Sequence, residues 1–149
     1  MAKYNIRDKK EMAAAYRNTV SPVMMDWLQE KIMNIIVMQK KYCDKSYSAK
    51  ELARDVGTNT RYISAVINER FRMNYTSFIN KFRIDDAIRI LEDKRYQDLN
   101  VEDVGKLVGF TSRMTFYSSF YRNVGMTPRE YRIQHLQILP PKGKKKKGA

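Results

Sequence analysis

ELARDVGTNTRYISAVIN, residues 51–68, decides how the rest of the chain is read. Two apolar sets with helical spacing, Leu52/Ala53/Val56 and Ile63/Val66/Ile67, flank the polar run Gly57-Thr58-Asn59-Thr60. Glycine readily takes the left-handed conformation that stops a helix, so the spacing predicts a short helix from Ala49 to about Val56, a turn, and a second short helix. Ser48-Ala49-Lys50-Glu51 supplies the start of the first as a capping box, serine and glutamate satisfying each other's backbone donors. A helix that only fills a core has no need of three small hydrogen-bonding residues and Arg61 at its mouth. A helix that points its N-terminus at a polyanion does.

Further helices are predicted on both sides. Ser21-Pro22 marks a start, and the spacing predicts an amphipathic helix to near Tyr42, with Met24, Trp27, Leu28, Ile32, Ile35, Ile36 and Met38 on one core-facing side. Asn74 caps a longer helix with Phe78, Ile79, Phe82, Ala87, Ile88 and Leu91 on its apolar face, ending around Lys94. The short-helix pattern then returns. Asn100-Val101-Glu102-Asp103 opens a helix with Val104, Leu107 and Val108 inward, Gly109 stops it, and another begins near Ser112 with Phe116 and Phe120 as core anchors. Thr127-Pro128-Arg129-Glu130 is a second capping box, opening a final helix through Tyr131 and Ile133. Leu52, Ala53, Val56 and Gly57 recur 52 residues on as Val104, Gly105, Val108 and Gly109; Ile63, Ile67 and Phe78 recur 53 on as Phe116, Phe120 and Tyr131. The one-residue slip falls at Phe110, in the turn, so the chain carries an internal duplication.

Charge narrows the function. The 149 residues hold 29 Lys and Arg against 16 Asp and Glu, a net +13, which points to a polyanionic partner: nucleic acid or an anionic membrane face. The helix at 22–42 carries Asp26 and Glu30 and few lysines, which speaks against anionic lipid, and no apolar run approaches a membrane span. The first ten residues have no apolar core for secretion, so no signal peptide is expected. Cys43 and His135 are the only residues of their kinds; an internal disulfide is impossible, and a reducing cytoplasm is the expected setting. Cys43 reads as an incidental thiol, and no nucleophile motif accompanies His135. With no paired carboxylates, metal-ligand spacing or phosphate loop, neither an enzyme nor a metal or cofactor site is expected.

Two short helices around a glycine turn make a helix-turn-helix, whose second helix enters the DNA major groove N-terminus first. The outward residues of its first turns face base edges: Thr60, Arg61, Ser64 and Ala65, with Asn68 further along, and in the second copy Ser112, Arg113, Met114, Tyr117 and Ser118. Arginine suits the two acceptors of guanine, while alanine, methionine or a threonine methyl meets a thymine methyl. Thr58, Asn59, Thr111 and Ser112, at the helix mouths, are candidates for phosphate. So are Lys144, Lys145, Lys146 and Lys147 in the basic tail, which reads as disordered. Each unit could also be a plain helical hairpin with a solvated face, and Tyr117 could pack across the long helix instead.

The run YSAKELARDVGTNTRYISAVIN, then FINKFRIDDAIRIL, then VEDVGKLVGFTSRMTFYSSFYRNVGMTPREYR, resembles the DNA-binding domain of the AraC/XylS family of bacterial transcription regulators over about residues 28–132. The second copy carries the most specific part: Gly109-Phe110, Phe116, Phe120, Gly125, Thr127-Pro128 and Tyr131-Arg132. The resemblance implies an all-α, homeodomain-like fold of seven helices: two helix-turn-helix subdomains joined by a linker helix, with their recognition helices in adjacent major-groove segments. It places base contacts on Arg61, Ser64 and Ala65, and on Arg113, Met114, Thr115 and Ser118. Five residues depart from the family pattern, two of them, Ala65 and Ser118, by being short where longer side chains often read bases. Arg72 stands where the glycine matched by Gly125 is usual, predicting a strained or reshaped turn. Gly105 replaces a usual alanine, at a helix cost of about 0.5–1 kcal/mol, and Ile67 replaces the usual aromatic anchor.

The expected organisation is a basic N-terminal segment (1–20), a first helix-turn-helix unit (21–73), a linker helix (74–95), a second unit (96–136) and a disordered basic tail (137–149). Residues 1–20 are too few for an effector-binding domain. Double-stranded DNA is the expected partner, with RNA polymerase a candidate second one, no membrane, and a monomeric domain compatible with the sequence. The competing reading is an architectural nucleic-acid binder that works through charge without regard to sequence.

Overall fold

Side-chain caps and left-handed stops, both local features, cut the chain into helices. The computed structural model describes residues 20–136, in which seven α-helices follow one another. These are α1 (Pro22–Met33), α2 (Ala49–Val56), α3 (Thr60–Val66), α4 (Tyr75–Leu91), α5 (Val101–Val108), α6 (Arg113–Val124) and α7 (Pro128–Leu136). No strand occurs among the described residues, and none of their helices is long and apolar enough to cross a membrane. Ser21, Ser48, Asn59, Asn100 and Ser112 cap α1, α2, α3, α5 and α6 with side-chain oxygens, and the Ser48/Glu51 capping box is complete. Asn74 accepts from the Ser77 N–H at the head of α4, and Thr127 and Glu130 exchange bonds at the head of α7.

The contacts divide the chain into two units. Among the described residues, one holds 20–39 and Tyr47–Phe78; the other holds Lys40–Ser46 and 79–136. In the first, Met25, Leu28 and Ile32 of α1 and Ile35 and Ile36 just after it are buried, as are Leu52, Ala53, Val56, Ile63, Val66, Ile67 and Phe78. Arg70 clamps the end of the α3 segment to α1: its Nη1 donates to Asp26 at 2.7 Å and to Gln29 at 2.9 Å. A wide turn, Ile67–Phe71, extends α3 and ends at Arg72 with φ 59° and ψ 38°. The left-handed stop expected of glycine is thus kept, but by an arginine, which leaves the strain in place.

In the second unit Ile84, Ala87, Leu91, Val104, Val108, Phe110, Phe116, Phe120 and Tyr131 form one core. Gly109, at φ +115°, does double duty there. A Cβ on it would fall 2.5 Å from the Tyr42 carbonyl oxygen, to which the Arg83 Nε donates at 2.6 Å, so the turn fits only because that residue has no side chain. Arg132 is buried and donates Nη1 to the Leu99 carbonyl at 2.5 Å, fixing the connection between α4 and α5.

Four expectations need correction. The first helix does not reach Tyr42: after α1 a single wide turn covers Asn34–Met38, and Lys40, left-handed at φ 56°, breaks the helix. Met24, Trp27 and Met38 are exposed, at 43%, 46% and 76%, because the buried arc is narrower than the apolar set and centred on Met25, Leu28 and Ile32. Leu107 is exposed because the inward arc of α5 runs through Val104, Val108 and Gly105 and leaves it outside. The long helix stops at Leu91, and Lys94–Tyr96 forms a separate 3₁₀ turn.

Candidate nucleic-acid interface

The two helix–turn–helix copies share their turn chemistry. In the first, the Gly57 N–H donates to the Arg54 carbonyl at 3.2 Å and the Thr58 N–H to the Ala53 carbonyl at 2.8 Å. In the second, the Gly109 N–H donates to Lys106 at 3.2 Å and the Phe110 N–H to Gly105 at 2.9 Å. Both glycines are left-handed, and the repeated apolar residues are buried in both copies. Phe110, the added residue, goes into the core with its ring 5.3 Å from that of Phe116. The extra turn residue is accommodated by burying it.

The second helix of each unit then starts from a fixed cap. Asn59 Oδ1 accepts from the Tyr62 N–H at 3.0 Å, and Ser112 Oγ from the Thr115 N–H at 3.1 Å. On α3, Thr60, Arg61 and Ser64 are exposed and Ala65 is half-buried; Thr58, before the cap, is half-buried. On and before α6, Thr111, Ser112, Arg113, Met114, Thr115 and Ser118 are exposed, Met114 at 79%. Several of these groups already have partners. The Ser112 and Thr115 hydroxyls share a hydrogen bond at 2.7 Å, so both belong to the cap. Asn68 donates back to the Ser64 carbonyl at 2.9 Å, along its own helix. Lys144 to Lys147 lie outside the described residues.

Tyr117 differs most from its expected place. It is half-buried and packs against the second unit's core; its hydroxyl donates to Glu102 Oε2 at 3.3 Å, and its ring lies 4.3 Å from the Arg113 guanidinium carbon. The Arg113 Nε donates to the same carboxylate oxygen at 3.0 Å. The hydrogen bond from Arg113, then those from backbone and Tyr117, hold the Glu102 carboxyl below its usual range. The same Glu102 bond leads the causes that raise the Arg113 guanidinium. Burial and the Glu102 charge push the Tyr117 phenol up. Sequence reasoning took Glu102 only as a helix-start residue; the available signal was an acid in the first turn of α5, eleven positions before an arginine at the start of α6.

Cys43 and His135 each lie within the second unit. Burial and the nearby Asp86 charge push the Cys43 thiol up, and the His135 ring stacks on Tyr131 at 3.8 Å. No cluster of His, Cys, Asp or Glu suited to a metal occurs among the described residues.

Fold and turn geometry together define a DNA-binding domain of the helix-turn-helix class. A family model described as a helix-turn-helix domain matches residues 52–134, more than half of the chain, and the chain belongs to that family, in its AraC type. Among curated relatives, the melibiose operon regulatory protein of Escherichia coli is 28% identical over 89 residues, 60% of this chain and 28% of the relative. An HTH-type transcriptional regulator of Bacillus subtilis, YtdP, is 24% identical over 101 residues, 68% of this chain and 13% of the relative. The chain thus spans less than a third of these relatives' length. Among solved structures, an AraC-type transcriptional regulator from Chromobacterium violaceum superposes with TM-score 0.63 at 21% identity, covering 73% of this chain and 95% of that one. The C-terminal domain of the response regulator AraT from Geobacillus stearothermophilus gives 0.61 at 19% identity, covering 77% and 87%. Both share the fold.

Proposed function

We propose that this chain is the sequence-specific DNA-reading part of a bacterial, cytoplasmic transcription regulator, with α3 and α6 entering adjacent major-groove segments of one duplex. The observation that carries the reading is the matched pair of units: the same glycine stop, a side-chain-capped second helix, and an exposed arginine in that helix's first turn. Arg61 and Arg113 each present a donor pair to guanine, Met114 and Ala65 present apolar contacts to thymine methyls, and Thr60, Ser64, Thr115 and Ser118 fill the remaining positions. Thr58, Asn59, Thr111 and Ser112 set the helix mouths against phosphate, and Lys144–Lys147 add attraction without sequence preference. Tyr117 serves by bracing Arg113. One chain carries both helices, so a monomer suffices, and RNA polymerase is a candidate second partner.

The test starts from a site selected out of a random duplex library. Arg61→Ala and Arg113→Ala should each cost about 1–3 kcal/mol on that site and far less on a scrambled duplex at the same salt concentration. Hydroxyl-radical footprinting should show two protected patches about 10 bp apart on one face. Equal losses on both duplexes would mean that the arginines hold phosphate, and the architectural reading would stand instead.

A further inference from the structure

The three-residue bracket around Arg113 has a geometry that a mere ion pair does not require. Glu102, in the first turn of α5, takes the Nε of Arg113 and the hydroxyl of Tyr117 on one oxygen, while the Tyr117 ring supports the guanidinium face. Nε is the side-facing donor of a guanidinium. Bonding through it leaves the two terminal nitrogens, with their parallel N–H bonds, for one more partner carrying two acceptors. Guanine offers such a pair in the major groove, O6 and N7. Arg113 remains 64% exposed and Glu102 36%, so the bracket orients the arginine without burying it.

We propose that Glu102 is a positioning residue that sets sequence selectivity: with Tyr117 it fixes Arg113 end-on for a two-acceptor base edge and holds it back from phosphates. This rests on Arg113 reading a base. Two effects act in one direction. A free arginine must lose its rotamer freedom on binding, a factor of about three- to tenfold in affinity that a pre-set side chain avoids. The Glu102 charge also offsets that of Arg113 where only phosphate is offered, which lowers binding to the wrong duplex.

The experiment measures single-base discrimination at every position of the selected site, at one salt concentration, for wild type, Glu102→Ala, Glu102→Gln, Arg113→Ala and the Glu102→Ala/Arg113→Ala double variant. Circular dichroism confirms that each is folded. Glu102→Ala should cut discrimination about three- to tenfold at one base pair, the pair that Arg113→Ala flattens, while binding to scrambled DNA holds or rises. In the Arg113→Ala background the same change should do nothing to discrimination. Glu102→Gln, which keeps an oxygen for Nε, should fall between wild type and Glu102→Ala. If Arg113→Ala flattens one base pair but Glu102→Ala leaves it sharp, or if Glu102→Ala still acts without Arg113, the positioning role is wrong. If Arg113→Ala flattens no base pair, the base-reading proposal fails first and takes this one with it.

Discussion

Gly105→Ala tests the packing of the second unit where two physical effects oppose each other. Gly105 lies inside α5, and on helix propensity alone alanine there should stabilise by about 0.5–1 kcal/mol. The structure reverses the sign. A Cβ at this position would fall 2.6 Å from Cδ2 of Phe116, 2.7 Å from its Cγ and 3.1 Å from its Cβ. Phe116 is fully buried, with ring centroids of Phe110 at 5.3 Å and Phe120 at 5.9 Å, so it has little room to withdraw. Overpacking of this kind costs about 1–3 kcal/mol. Subtracting the propensity gain leaves a net loss of up to about 2.5 kcal/mol, a fall in melting temperature of up to roughly 10 °C for a chain of this size. Urea and thermal unfolding of the full chain, followed by helical circular dichroism, measure it. Phe116→Leu in the Gly105→Ala background should give a smaller total loss than the two single losses summed, since the shorter side chain vacates the contested space. A Gly105→Ala protein more stable than wild type would refute the argument, because the missing methyl would then reflect sequence drift and not the ring beside it.

Arg72→Gly should stabilise by about 0.5–1 kcal/mol in the same unfolding assay, since glycine removes the left-handed strain while making the unfolded chain more flexible; a loss would show that the arginine side chain contributes more than its backbone costs. Raising the pH should destabilise the fold from about pH 10 upward. Tyr42, Tyr47 and Tyr131 donate to Asp86, Asp55 and Glu92, and burial followed by those carboxylates raises all three phenols above the ordinary tyrosine value of 10.0, Tyr131 to about 12. The unfolded chain therefore releases these protons first, and stability present below pH 10 is lost on the way to 12. Urea midpoints at pH 8 and 11 should show a smaller drop for Tyr131→Phe than for wild type, and an equal drop would remove Tyr131 from the account. Deleting residues 140–149 should weaken selected and scrambled duplexes alike and reduce the salt slope by at most about four to five. A changed sequence preference would mean that the tail reads bases.

The sequence alone determined where the helices begin and, at Gly57 and Gly109, where two of them end. Ser21, Ser48, Asn59, Asn74, Asn100, Ser112 and Thr127 each close a bond within three residues, and the left-handed stop at Gly57 needs only its own backbone freedom. Such features depend on neighbours in the chain, so they can be read without knowing the fold, and with the internal repeat they were enough to place the second helix of each unit. Burial was legible only in part, because periodicity marks an apolar stripe without saying how much of it a neighbour covers. Leu28 and Ile32 went in, whereas Trp27 and Leu107 stayed out. What only the tertiary structure decided are the pairings across the chain: Arg70 with Asp26 over 44 positions, Tyr42 with Asp86 over 44, and Arg113 with Glu102 over 11. Each depends on the distance and angle between packed helices. Those are set by the volumes of buried side chains such as Phe110 and Phe116, and a linear pattern does not carry them.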